Sequence, residues 1–347
     1  MAFKNVGTFD LGTVGGPAAK RGNAQAFAMN DAGIASGQAF LQSELEKRDM
    51  LVRTPLTSFT YSRDIPIRVG GGWAEFVSAM QVGYGVSGGS GDNLHHSGGA
   101  NGIPMVQADF GKGLYKTHMI AAGTRVMWID MQRGNMTGRN LDSLLRDGLR
   151  MTYDKHMDEN TYTGFSRYGT YGLLNNPDVM VTSAAEVGET SSKTTAFKRK
   201  TPDQILDDIN TAILAAWAAS EYDRDAIPNH IIMPYEQYNY LATTRVSSLA
   251  EKTILTFLLE NNVARQNGAD LFIGATIWCK GAGVSGKDRM AVYCNKERYL
   301  AIDELVPLTR AMTGPNTTQF CYDTAYAGNL SEVEVFYDQT MLYVDGI

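Results

Sequence analysis

The chain is poor in cysteine and in charge, and it has no long apolar run. Its 347 residues include only three cysteines, Cys279, Cys294 and Cys321. They are too few and too far apart for a disulfide framework or a Cys-x-x-Cys metal site, so reduced, packed thiols are expected. No stretch approaches the roughly 18 consecutive apolar residues that a membrane-spanning helix needs. The N-terminus lacks a charged start followed by an apolar run, the pattern of a secretory leader, and a cytosolic protein is expected. Basic residues are outnumbered, 31 Lys and Arg against 37 Asp and Glu, which argues against a surface that neutralises many phosphates. No internal repeat of fixed period is present.

What the chain does have is concentrated glycine. The ribbon from Gly70 to Gly113 carries Gly70-Gly71-Gly72, Gly88-Gly89-Ser90-Gly91 and Ser97-Gly98-Gly99 with almost no charge, so it cannot build a dense core of its own. Two extended runs, Phe76 to Val86 and Ile103 to Phe110, flank a tip at 87–102 and predict a long hairpin. A two-stranded hairpin is marginal by itself in water, so this one needs something to lie on. An arm that becomes ordered against other copies of the chain meets that need, and points to a self-assembling structural protein.

Around the ribbon the pattern is that of a folded body. Residues 1–33 read as an extended arm, and Ser36 to Met50 as a helix stopped by Thr54-Pro55. Asp64-Ile-Pro-Ile-Arg-Val69 is short and β-prone. Lys116 to Asp130 alternates as a separate strand, and Asn140 to Gly164 is the longest helix, with Leu141, Leu144, Leu145, Leu149 and Thr152 on one face. A compact turn, Tyr171-Gly-Leu-Leu-Asn-Asn-Pro-Asp-Val179, precedes a Ser/Thr-rich linker to Thr195. Capping boxes at Thr201-Pro-Asp-Gln204 and Ser248-Leu-Ala-Glu251 open two helices, the second running to Asn267-Gly268. Strands at His230 to Met233, Leu271 to Cys279 and Met290 to Asn295 interleave with them as an α/β unit. Glu332 to Asp338 and Met341 to Val344 close the chain as strand, expected to pair with the strand before the long helix.

Motifs that could carry chemistry read better as structure. Gly83-Tyr-Gly-Val-Ser-Gly88 has dinucleotide-loop spacing but does not open a helix. Gly281 to Asp288 is close to a phosphate loop, yet Asp288 replaces the magnesium-holding hydroxyl and would repel phosphate, so a turn between strands is expected. Asp92, His95 and His96 could supply a metal-dependent enzyme, but a glycine-rich tip offers no packed residues to hold such ligands. His118, His156 and His230 are isolated and read as structural. Asp158 and Glu159 read as helix-surface charges, and Lys198-Arg199-Lys200 as a solvated loop. No catalytic, cofactor or metal residue is assigned.

The order of elements, together with Phe40-Leu-Gln-Ser-Glu-Leu-Glu46, Asp64-Ile-Pro-Ile67 and the run from Asp142 through Gly172-Leu-Leu-Asn-Asn-Pro177, resembles the major capsid proteins of tailed bacteriophages, the Hong Kong 97 type fold. The resemblance implies an α+β chain with an N-terminal arm and helix at 1–56, a lead-in strand at 57–77 and an extended hairpin, the E-loop, at 78–116. A P-domain would span 117–200 with its spine helix at 140–164, an A-domain 201–304, and a C-terminal return to the P-domain 305–347. It implies a non-enzymatic virion subunit, assembled in the host cytoplasm as pentamers and hexamers of an icosahedral shell. That shell would enclose double-stranded DNA without reading its sequence, with portal, scaffold and decoration proteins as separate partners and no membrane. An encapsulin-type shell around enzyme cargo is the alternative within the fold. Some members cross-link an E-loop lysine; here only Lys112 and Lys116, near the ribbon's base, are available, so non-covalent closure is expected. Trp73, Phe76, Met80 and Phe110, with those two lysines, are the expected inter-subunit contacts.

Overall fold

The computed structural model describes residues 55, 57–87, 105–137, 141–188, 193–247 and 252–347. All but Pro55 and Thr57 belong to one compact unit, Ser58–Ile347. The N-terminal arm, the helix expected at 36–50, the ribbon's tip and the Ser248–Glu251 capping box lie outside the described residues.

Two five-stranded sheets organise the unit. The second in chain order holds the core. It aligns β4 (Met180–Ser183), β10 (Met341–Asp345), β7 (Arg289–Tyr293), β5 (His230–Met233) and β6 (Phe272–Ala275), in that order. Strands β5, β7 and β10 are buried at every position, as central strands covered on both faces must be. On one face lies α4 (Pro202–Ala219), whose Ile205, Ile209, Ala212, Ile213 and Ala216 recur at helical spacing against Ile231, Met233, Val292, Leu342 and Val344. The expected capping box opens it: Thr201 accepts from the Gln204 N–H while the Gln204 side chain accepts from the Thr201 N–H. On the other face Ile232, Ala291, Tyr293, Met341 and Tyr343 meet Ile65, Tyr162, Leu173 and Leu174.

The first sheet runs β1 (Ile67–Val69), β8 (Leu300–Asn316), β9 (Cys321–Val335), β3 (Met105–Met127) and β2 (Phe76–Ser87). Only the start of β8 and the end of β9 enter the core, through Leu300, Ile302 and Val333. The hub strand is β3, which pairs with β2 over residues 105–116 and with β9 over 117–127. Ile103–Phe110 and Lys116–Asp130 are therefore not separate strands: changing partners at Lys116 and Thr117 lets one strand run for 23 residues, about 75 Å. It stops at Met127 because β9 begins at Cys321 and offers no further partner. Trp128 then starts α2 (Trp128–Thr137) instead of extending the strand to Asp130.

Other expectations are corrected in the same physical terms. Glu332 to Val335 does close the chain into the first sheet as part of β9, but Met341–Asp345 pairs with β7 and β4, not with β3. A strand apolar at successive positions belongs in a doubly covered sheet. The Ser/Thr-rich linker contains β4. The helix expected to run to Asn267 is two short ones, α6 (Ile254–Glu260) and α7 (Val263–Gln266), because Asn262 accepts from the Arg265 N–H and restarts the turn. Thr253 caps α6. Lys200 is no solvated loop residue: its ammonium is buried and paired with Asp208.

Candidate assembly surface

Directly opposed residues of an antiparallel pair share a face. In the ribbon, Phe76 lies opposite Lys116, Met80 opposite Lys112 and Val82 opposite Phe110, so five of the six expected contact residues project from one face. Sequence reasoning missed Val82, Tyr84, Val106 and Leu114, which by the same register lie on that face. Its large apolar side chains, from Phe76 to Leu114, are between 42 and 78% exposed, except for half-buried Val86 opposite Val106. Between its ends the opposite face is small and polar, with Ala79, Gln81, Gly83, Gly85, Gln107, Asp109, Gly111 and Gly113; its larger residues are Val77 and Tyr115 at the root and exposed Met105 at the far end. The ribbon is thus two-sided, bulky and apolar on one side and thin on the other. Trp73, the sixth expected residue, is exposed in the lead-in to β2.

The thin face meets the body at the ribbon's root. Gln81 Nε2 donates to Phe336 O at 2.9 Å, and Tyr115 Oη to Val335 O at 2.8 Å, with the Tyr115 ring edge-on to Phe336. From the apolar face Lys116 also reaches the body, its Nζ donating to Gly169 O at 3.2 Å. Along residues 77–87 and 105–115 neither strand has a partner other than its mate.

Behind the root stands α3 (Leu141–Thr163), the expected spine, about 35 Å long. Its first two turns are largely exposed, and burial concentrates at Met157, Asp158, Asn160, Thr161 and Tyr162. Asp158 is therefore not a surface charge. Its carboxylate accepts from the Thr60 and Tyr61 N–H groups at 2.9 and 3.1 Å and from Trp278 Nε1 at 2.6 Å. Asp64, fully buried at the other end of the short turn α1 (Tyr61–Asp64), makes the reciprocal contact: it accepts from Tyr162 Oη and from Arg63 Nε at 2.6 Å, and lies 3.1 Å from His230 Nε2. Burial pushes the Asp64 carboxyl up, but hydrogen bonds from His230, Arg63 and Tyr162 prevail and hold it below the usual carboxylate range.

The Gly-Leu-Leu-Asn-Asn-Pro turn completes this junction. Leu173 and Leu174 donate backbone N–H to Thr161 O and Tyr162 O. Gly172 is required by the close approach, since a Cβ there would sit 2.5 Å from the Tyr162 carbonyl carbon. His118 and His156 pack with Phe165 and Tyr168 in an aromatic cluster between β3 and α3, and burial pushes the His118 imidazole down to about 4, with His156 adding to it. His230 stacks on Phe272. The thiols of Cys279, Cys294 and Cys321 are free and buried. Gly281 to Asp288 forms a turn leading into β7, its Gly281, Gly283, Val284 and Gly286 N–H groups bonded within the chain. Asp92, His95 and His96 lie outside the described residues, among which no cluster of three or more metal-ligating side chains occurs.

The family model for the major capsid protein matches residues 93–347. Among solved structures the chain has the fold of the capsid of Myoviridae phage XM1, at 18% identity and a TM-score of 0.71 over 88% of this chain and 98% of that one. It is also similar to the capsid of the empty GTA particle (11% identity, TM-score 0.59, 92% and 99% covered) and to a structure from Microbacterium phage Oxtober96 (12%, 0.57, 89% and 97%). No curated protein matches its sequence.

Proposed function

This chain belongs to the major capsid protein family and is a structural subunit of a phage capsid, and from that premise we propose that it closes an icosahedral shell by laying its ribbon on the next copy. One observation carries this reading: the ribbon's apolar face exposes Phe76, Met80, Val82, Tyr84, Val106, Phe110 and Leu114 together. Surfaces of this kind mark association sites, and capsid subunits are repeated often enough to cover every one.

In this reading residues 78–116 are the E-loop, 117–200 the P-domain with α3 as spine, 201–304 the A-domain, and 305–347 a return shared by both sheets, since β10 lies beside β7. Residues 1–56 are the arm and 57–77 the lead-in whose Asp64 ties α3 to the second sheet. Pentamers and hexamers of a tailed-phage shell would assemble in the host cytoplasm without catalysis, with portal, scaffold and decoration proteins as separate partners. The acidic balance suits a container for double-stranded DNA, which brings its own counterions. Lys112 flanks the apolar face near its base, suited to a non-covalent contact, while the Lys116 ammonium is held by Gly169 O of its own chain.

Electron microscopy and gel filtration of the expressed full chain test the proposal. Capsomers or closed particles are expected. A monomer or a small discrete oligomer at high protein concentration would overturn it.

A further inference from the structure

Where β1, β8 and β9 run side by side, one guanidinium serves two carboxylates. Arg68 donates from Nε to Asp303 Oδ1 at 2.5 Å and from Nη2 to Glu334 Oε2 at 2.6 Å. The Glu334 side chain is completely buried, and its Oε1 has no hydrogen-bond partner. Fully ionised, the trio carries two negative charges and one positive, an imbalance that is costly away from water. The other charged groups nearby do not correct it. Glu332 on β9 accepts from the Lys116 N–H, Glu297 acts on Arg68 from the turn before β8, and Asp338 follows β9, so each adds negative charge. On β3 the facing titratable group is Tyr115, a phenol pushed up to about 12 by burial and then by Glu334, Glu332 and Asp338, while Lys116 directs its ammonium to Gly169 O.

The simplest neutralisation is one proton. Glu334 is the more buried carboxyl and owns the unpartnered oxygen. Burial first, and the Asp303 carboxylate second, lift it to about 7 against the opposing pull of Arg68 and a hydrogen bond from Ser331. The trio also sits at the ribbon's root. The Arg68 guanidinium lies 5.3 Å over the Phe336 ring, and it is Val335 O and Phe336 O that Tyr115 and Gln81 hold.

We propose that Glu334 is a proton-operated latch on the ribbon: protonated, it leaves Arg68 balanced by Asp303 and the root tight; ionised, it puts an uncompensated negative charge beneath Val335 and Phe336 and loosens their hold. The sign follows from linkage. The folded carboxyl keeps a proton that the unfolded one has released, so the root weakens as pH rises from the ordinary glutamate range to about 7, and levels off above it. The latch depends only on the chain's own contacts, whatever covers the ribbon's outer face.

Hydrogen exchange of the full-length chain, corrected for intrinsic rates, reads this directly. Protection of peptides from 76–87 and 105–117, relative to peptides from α4, is expected to fall up to about tenfold per pH unit between about pH 5 and about pH 7. The fall should vanish in Glu334→Gln. Asp303→Asn, which leaves one carboxylate per guanidinium, should move it to lower pH. A second readout needs no variant: in carbon-13 titration of labelled glutamate in the wild-type chain, one side chain should have its midpoint near 7. An unchanged slope in Glu334→Gln, or glutamates that all titrate in the ordinary range, would overturn the latch.

Discussion

The ribbon and the second sheet both carry large apolar side chains and do opposite things with them. In β5, β7 and β10 every position is buried, with α4 on one face and the Tyr162, Leu173 and Leu174 cluster on the other. In β2 and the first half of β3 most of the large apolar side chains stay exposed, and each strand pairs with the other alone. Burying one such side chain contributes about 1.5–3 kcal/mol, so the second sheet collects that stabilisation when the chain folds, and the ribbon can collect it only when another surface arrives. The molecule thus divides folding from association, and substitutions should sort by which side of the division they touch.

The largest effect on stability should come from the carboxylate that ties the two sheets' supports together. Asp64→Ala leaves His230 and Tyr162 without their buried partner and should cost about 3 kcal/mol, read by denaturant unfolding. Arg63 can turn to solvent, which places the value at the low end for a buried pair. Because the Asp64 carboxyl is held below its usual range when folded, its contribution is present above that range and is lost as pH falls through the depressed value. Wild type should lose this stability in acid, and Asp64→Ala should show a flatter acid limb. An equally steep limb in the variant would separate Asp64 from the acid sensitivity.

Comparable in size, but confined to the second sheet, is the effect of Ile213→Ala in α4. Ile213 is fully buried against the sheet, and the cavity should cost about 2–4 kcal/mol in thermal or denaturant unfolding. Assembly at low temperature should survive if enough folded chain remains. If this variant left stability unchanged while blocking assembly, the division between folding and association would fail.

How much of this was legible in the sequence depended on whether the signal was local. The α4 cap was readable because Thr201 and Gln204 satisfy each other within four residues, with Pro202 at the first helical position between them. The extent of α3 was readable too, from its helical period. Asp158 and Lys200 were misread because neither partner is local: Trp278 lies 120 residues from Asp158, and Asp208 reaches Lys200 only once α4 has formed. Strand partners were equally hidden, so β10 was sent to the wrong sheet although its uninterrupted apolar run suited the buried one. The ribbon's face was half-visible. Phe76, Met80 and Phe110 stood out as large apolar residues among glycines, but Val82, Tyr84, Val106 and Leu114 joined them only when the register fixed which residues oppose one another.

The smallest change in stability gives the sharpest comparison. Phe110→Glu places a charge opposite Val82 on the ribbon's exposed apolar face, where the chain itself loses almost no burial, so unfolding of the isolated subunit should shift by no more than about 0.5 kcal/mol. Assembly should nevertheless fail, because the same glutamate would be desolvated beneath a neighbour. Gln107→Glu is the matched control: it adds the same charge three residues away, on the thin face opposite Gly85. Its stability should be as little changed, and its particles, counted by electron microscopy, should form as in wild type. The two glutamates differ in which side of a two-stranded ribbon they occupy, so equal assembly by both, or equal failure, would mean that the apolar face is not the side that meets the next subunit.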